Sequence, residues 1–359
     1  MPNVQYFLGG NTPLGFYSLY HQLSDPTKHQ AVYILKGGAG CGKSSLMRRV
    51  GQKAQQAGYE VVEVPCSGDP GSLDAVLFPQ LRAAIVDGTA PHVVEPACAG
   101  VVERYVDLSR FYAWKELQPL KDPILDATHQ CSTCYKRVYR CLGAAGELLG
   151  DVRDRVSSQT ITQKLARRAR GIIAREFKPV AATPGAETQG FLSAVTHQGS
   201  LTLWETVEGQ AERVYELWDS YGLAHDLLAP ILSAALATGH RVLACPDPMA
   251  PDRLAHLIFP DLSLAFVTSN AHTPWPHHPF RRLRLDAMVD RDVYRSSRPR
   301  LRFAQKVAQA LVDQAIDGLR QAKEAHDVLE GYYNSHVDFD GVYEVAEQVA
   351  QDILSLPQR

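Results

Sequence analysis

Eight consecutive residues, Gly37-Gly38-Ala39-Gly40-Cys41-Gly42-Lys43-Ser44, have the residue types and spacing of a phosphate-binding loop, or P-loop. Glycines let successive backbone N–H groups turn inward toward phosphate oxygens with no side chain in the way. A lysine at Lys43 reaches the β- and γ-phosphates, and the hydroxyl at Ser44 ligates Mg²⁺. The expected ligands are therefore a nucleoside triphosphate and Mg²⁺, bound by residues 37–44 together with Ser45. ATP is expected rather than GTP, because no Asn-Lys-x-Asp guanine motif occurs.

Such a loop works only between a strand and a helix N-terminus, where free N–H groups and the helix dipole favour an anion. Residues 31–36 form a short apolar run that reads as a buried parallel strand. After the loop, Leu46, Val50, Ala54 and Ala57 recur at helical spacing with Arg and Gln between them, and Gly58 stands at a helix C-terminal position. Residues 59–64 read as a second strand. Asp69-Pro70 reads as the opening of a helix running to about Leu77, with Asp69 as its N-cap and Asp74 in its first turn. Residues 82–87 read as a third strand that ends in Asp87. A strand ending in aspartate fits the second nucleotide motif, so Asp87 is expected beside Ser44 in the Mg²⁺ shell. These elements predict an α/β fold, a P-loop NTPase-type parallel sheet flanked by helices, with the ligand at the carboxyl ends of the strands.

The unit occurs twice. A shift of 181 positions lays Leu46 on Leu227, Ala54 on Ala235, Gly58 on Gly239, Pro65 on Pro246 and Leu73 on Leu254. It also lays Phe78-Pro79-x-Leu81 on Phe259-Pro260-x-Leu262, and with a small gap Phe7-Leu8 on Phe191-Leu192. The copies differ in chemistry. Gly37, Gly42, Lys43, Ser44 and Asp87 fall on Trp218, Leu223, Ala224, His225 and Thr268, and Asp69 and Asp74 fall on Ala250 and Ala255. Residues lost from the silent copy are the candidates for the site: Lys43 and Asp87 first, then Asp69 and Asp74. Domain boundaries follow: 1–177 as the nucleotide-binding unit with helical material after residue 120, 178–190 as a linker, and 191–359 as a degenerate unit with a long helix over 301–330.

The stretch Gly9-Gly10-Asn11-Thr12-Pro13-x-Gly15-Phe16-Tyr17-Ser18, the loop, Asp69-Pro70-x-Ser72-Leu73-Asp74 and Asp87-Gly88-Thr89-Ala90-Pro91-His92 together resemble a bacterial, Firmicutes-type family of tandem P-loop ATPases. The resemblance covers most of the first half and only diffusely the second. It implies a P-loop fold, a bound nucleotide and a cytoplasmic location, and it names no substrate. Members of that family often carry a second intact loop, which is degenerate in this chain.

Composition limits the remaining possibilities. The formal net charge of −2 gives no field for nucleic-acid binding, no run of residues is apolar enough to span a membrane, and seven scattered cysteines fit reduced thiols. Residues 1–10 lack the pattern of a secretory signal. A cytoplasmic protein is expected, with the nucleotide and an unidentified protein or small molecule as partners. His129-x-Cys131-x-x-Cys134 with Cys141 is half of a zinc pattern and reads more simply as helix. Cys41 reads as a small loop residue, or as an oxidation-sensitive thiol at a helix N-terminus. The arginines Arg281, Arg282, Arg284, Arg295, Arg298, Arg300 and Arg302 read as a solvated surface balanced by acids. His277-His278 reads as a turn.

Three functions stay open. One is an ATPase that couples hydrolysis to rearrangement of the two units, with Asp69, Asp74, Glu95 or His92 orienting water. The second is a small-molecule or nucleotide kinase with residues 120–150, including Arg137 and Arg140, as a lid. The third is a non-catalytic nucleotide-dependent binding module.

Overall fold

The computed structural model describes residues 4–181 and 183–357; the outermost residues of the expected units (1–3, 358–359) and residue 182 of the expected linker lie outside the described residues. The first half contains β1 (Val4–Gln5), β2 (Gly9–Thr12), β3 (Gly15–Ser18), β4 (Ala31–Lys36), α1 (Lys43–Gln56), β5 (Val62–Pro65), β6 (Leu73–Phe78), β7 (Ala83–Asp87) and β8 (Glu103–Asp107). It continues with α2 (Trp114–Leu117), α3 (Lys121–Val156) and α4 (Gln159–Glu176). The second half repeats this with β9 (Glu187–Gln189), β10 (Ser193–Thr196), β11 (Gly199–Thr202), α5 (Trp204–Gln210), β12 (Arg213–Trp218), α6 (Ala224–Ala237) and β13 (Val242–Asp247). It ends with β14 (Ala250–Phe259), β15 (Leu264–Ser269), β16 (Arg281–Arg284), α7 (Arg291–Asn334) and α8 (Phe339–Leu354).

Each half builds a six-stranded sheet of the same order, β1-β5-β6-β7-β4-β8 and β9-β13-β14-β15-β12-β16. The sheets are mixed rather than parallel. β4 runs parallel to β7 and β8, but β6 is antiparallel to both β5 and β7, as β14 is to β13 and β15. The helix expected over Asp69–Leu77 is therefore the strand β6. Leu73, Val76 and Leu77 suit a helical stripe by spacing. Yet β6 is buried on both faces, and a strand buried on both faces shows a continuous apolar run with no period of two. The segment expected to be linker contributes β9, which pairs with β13 at the sheet edge.

The two halves meet about an approximate two-fold relation. Phe7 and Phe191, equivalent under the repeat, exchange reciprocal backbone hydrogen bonds of 2.9 and 2.8 Å, and both side chains are fully buried. Inner-face residues of both sheets share one core: Val32, Ile34 and Val86 from one, Ile258, Ala265 and Val267 from the other.

The outer faces are covered by exchanged helices. α8, the last helix of the second half, packs on α1 and sheet 1 through Val342, Val345, Ala346, Val349 and Ile353. These positions form a stripe at helical spacing, and each fully buried branched side chain contributes about 1.5–3 kcal/mol. Glu347 of α8 pairs with Arg49 and Lys53 of α1. Reciprocally, α4 of the first half covers α6 and sheet 2 through Ile161, Leu165, Ala169 and Ile172. Ser158 caps α4 and Asp338 caps α8, each accepting a backbone N–H from the first turn. The long helices α3 and α7 run antiparallel along each other, with Arg137 bonded to Gln321 and Asp151, further along α3, bonded to Arg300. Among the described residues no helix is long and apolar enough to cross a membrane.

Candidate functional site

β4 ends at Lys36 and α1 begins at Lys43, so the loop is residues 37–42. Gly40 and Gly42 have φ of +65° and +84°, backbone that a side chain resists. Gly42 is the N-cap of α1 and supplies no side-chain acceptor, which leaves the first-turn amides open. The Lys43 ammonium donates to the carbonyls of Gly37 and Gly38, each at 2.8 Å, and stands 3.5 Å from Asp87 Oδ2. β4 and β7 are neighbours with Leu35 opposite Asp87, which fixes this carboxylate beside the loop's base. Its other oxygen accepts the Thr89 amide (2.8 Å) and hydroxyl (2.6 Å).

The hydroxyl oxygen of Ser44, the residue expected beside Asp87, accepts the Leu73 backbone N–H at 3.0 Å, tying α1 to the start of β6. Ser45 is exposed. Cys41 is buried, and that burial pushes its thiol up, so its packing outweighs the helix terminus and the oxidation-sensitive reading loses its basis. Tyr112 donates to the Ala39 carbonyl at 3.1 Å, bracing the loop from outside.

The carboxylates proposed to orient water separate into three places. Asp69 caps no helix. It lies in the turn between β5 and β6, accepting from the Gly71 amide (3.2 Å) and the Ser72 hydroxyl (3.1 Å), and its Oδ2 is 3.5 Å from Lys323 Nζ on α7. Asp74 is not in a first helical turn but at a β-bulge. Val64 pairs with Ala75 and Pro65 with Leu73, so Asp74 is the extra residue. Its carboxylate accepts the Tyr20 hydroxyl at 2.8 Å and lies 3.4 Å from His92 Nε2, and its burial pushes the carboxyl up. Glu95 is exposed, bonded to Tyr105 (2.6 Å) and 3.5 Å from Lys36 at the β8 edge, away from Lys43.

Sequence reading missed the far end of α7. A Cβ on Gly40 would stand 2.4 Å from Asn334 Oδ1 and 3.1 Å from the Glu330 carbonyl oxygen, so the last turns of α7 lie directly on the loop. Phe339 and Val342 of α8 approach Gly42 in the same way, and Tyr333 packs on Tyr112 at 5.2 Å. One signal was available: the 181-residue shift places Lys323 on Leu142, a charge present in the second half and absent from the first, the reverse of the loss that singled out Lys43.

In the second half the loop is one residue shorter, 219–223 between β12 and α6. The strand before the loop is consequently offset by 182 and the elements from α1 through β7 by 181, and Gly37 corresponds to Asp219 instead of Trp218. The buried Asp219 carboxylate accepts the amides of Ala224 (2.7 Å) and Tyr221 (3.0 Å), closing the α6 N-terminus with the chain's own anion. A cavity of about 800 Å³ opens beside it, lined by Asp219, His225, Asp247, Arg253 and, from α3, Arg153.

Other expectations concern features away from the loop. α3 lies along α7 rather than over the loop, so Arg137 and Arg140 form no lid. Arg282 pairs with the buried Glu216, Arg300 with Asp151 and His277 with Glu208. All seven cysteines are free, and His129, Cys131 and Cys134 are not among the clusters of ligand-type atoms that converge in the described residues. Comparison of the chain with protein-family models, with curated proteins and with solved structures gives no match.

Proposed function

We propose that the chain is an ATP-binding P-loop protein that hydrolyses ATP with Mg²⁺ at one site per chain and couples the nucleotide state to the packing of its two halves. The observation that carries this reading is the Lys43 ammonium held between the loop carbonyls and Asp87, in front of an uncapped helix N-terminus. The residues suit the ligand. Two left-handed glycines keep the loop free of side chains, the α1 amides await an acceptor, and one cation is held at the loop by its own carbonyls and Asp87. Bound Mg²⁺ would neutralise charge developing on the phosphate oxygens. Lys43 would hold the terminal phosphates, while Ser44 and Asp87 would hold the metal, with Ser44 oriented by its bond from Leu73. Asp69 is the carboxylate best disposed to position water, because Asp74 and His92 are turned into a buried pair and Glu95 lies at the sheet edge.

Coupling rests on α7, which starts beside sheet 2 and ends on the loop of sheet 1. Any shift of Gly40 presses on Asn334 and thereby on the helix pair α3–α7. The test is phosphate release from ATP and Mg²⁺ by the purified chain. Slow turnover that Lys43→Ala removes supports the ATPase. Binding without turnover would leave a nucleotide-dependent binding module, and no binding at all would end the reading.

A further inference from the structure

Behind the loop, three side chains of metal-ligand type converge from three separate segments. Cys66 follows β5, Asp74 is the bulge residue of β6 and His92 lies beyond β7. One donor atom from each lies within 4.8 Å of the other two. Asp74 and His92 are buried and Cys66 is half-buried.

We propose that Cys66, Asp74 and His92 form a site for a zinc-class divalent cation, distinct from the Mg²⁺ site at Ser44 and Asp87. A thiolate, a carboxylate and an imidazole favour Zn²⁺ or Co²⁺ over the hard ions Mg²⁺ and Ca²⁺. A tetrahedral ion with bonds of about 2.0–2.3 Å places its ligands about 3.3–3.8 Å apart. The present spread therefore closes with side-chain movements of about an ångström, and one coordination position remains. Charge balances as well: thiolate and carboxylate neutralise a divalent ion while the imidazole stays neutral, and the thiol proton leaves on binding. Tyr20, donating to Asp74 at 2.8 Å, orients the carboxylate in the manner of an outer-shell partner.

An ordinary buried His–Asp pair explains this cluster less well, for two reasons. The His92 ring, packed between Phe16 and Tyr20, turns Nε2 toward Asp74 but stands 3.4 Å from its carboxylate, a long contact for a buried pair. The second half also keeps the fold while only one of the three posts carries a carboxylate, thiol or imidazole. The same bulge recurs there, since Cys245 pairs with His256 and Pro246 with Leu254, and its extra residue is Ala255. Under the repeat, Cys66 becomes Asp247 and His92 becomes Thr273. The bulge therefore does not need the aspartate. A bound ion would clamp the two ends of the 66–74 loop, which carries Asp69 and the Leu73 amide that holds Ser44.

The test is titration of the full chain with Co²⁺ in the absence of nucleotide. One equivalent should give the visible bands of a tetrahedral ion and a thiolate-to-cobalt charge-transfer band in the near ultraviolet. Cys66→Ser should abolish the charge-transfer band, and His92→Gln should weaken binding by more than about tenfold. Cys131→Ser/Cys134→Ser and Lys43→Ala should leave both signals intact. No cobalt binding, a band that survives Cys66→Ser, or one that disappears with Cys131 and Cys134 overturns the proposal. Should Cys66→Ser fail to fold, X-ray absorption of the zinc-loaded native chain decides. A single sulfur among lighter ligands supports the site, and none or several overturns it. Because Lys43→Ala retains the cobalt signal, failure of ATP binding and failure of this site are separately readable.

Discussion

Ser44 and His225 hold the same structural post in the two halves: each accepts the backbone N–H of the equivalent leucine, Leu73 or Leu254, at 3.0 Å. The contact that joins helix to sheet has been kept while its chemistry has changed from hydroxyl to imidazole. His225 accepts through Nδ1, so the proton of its neutral form resides on Nε2. Ser44 therefore has an architectural duty that does not depend on a metal, and its loss should weaken the α1–β6 junction as well as any Mg²⁺ site.

One nucleotide should bind per chain. The second half has Ala224 at the post of the loop lysine, and its α6 N-terminus is filled by Asp219. Calorimetric titration with ATP and Mg²⁺ should give a single site, and Lys43→Ala should lower turnover by at least about 100-fold, the effect of removing one well-placed transition-state donor. Asp219→Gly should not create a second site, because the clamp is still missing. A stoichiometry of two would contradict the unequal pair.

Gly40→Ala should unseat α7 from the loop. The new methyl meets Asn334 Oδ1 at 2.4 Å and the Glu330 carbonyl at 3.1 Å, on a backbone with φ of +65° that alanine resists. Adding Asn334→Ala relieves the first clash and not the second. Hydrogen exchange over residues 323–334 should accelerate in Gly40→Ala and recover only in part in the double variant. Unchanged protection in the single variant would show that the loop and α7 are not coupled.

Part of the arrangement was legible from local pattern: β4, the glycine-rich turn, α1 and the place of Asp87 at a strand end beside Lys43 all follow from it. The β6 hairpin was not legible, since an apolar run buried on both faces has no periodicity to separate it from a helix. The N-cap position read for Asp69 and the first-turn position read for Asp74 failed with it. The helix exchange was hidden for another reason. The stripe Val342, Val345, Ala346, Val349 and Ile353 announces an apolar face but not which sheet receives it. Asp219 was masked by a one-residue deletion, which a constant 181 offset assigns to the wrong neighbour.

The exchange makes the halves interdependent. Ile353 of α8 is fully buried against sheet 1, far along the chain from the elements it covers. Ile353→Ala should cost about 2–5 kcal/mol in denaturant unfolding, and the loosening should appear as faster exchange in α1. Residues 1–177 alone should not form a cooperatively folded unit, because the outer face of α1 would be bare and the apolar stripe of α4 would have no sheet. A sharp thermal transition from that fragment would refute the interdependence.

Asp219 should leave a signature in the pH dependence of stability. Burial pushes its carboxyl from the ordinary 3.8 up to about 6, against the pull of the Tyr221 and Ala224 amides. The folded chain therefore holds this proton more tightly than the unfolded chain. The resulting stabilisation is fully present below about 3.8 and is lost as the pH rises through about 6. Asp219→Asn cannot ionise and so lacks this slope, but its single acceptor oxygen leaves one of the two amides poorly satisfied, a cost of about 1–3 kcal/mol. The variant should thus be less stable than the native chain near pH 4, and the gap should narrow toward pH 7, as read from urea midpoints across that range. A gap that widens with rising pH would mean that the helix terminus stabilises the carboxylate more than burial penalises it, and a constant gap that the two cancel; either overturns the prediction.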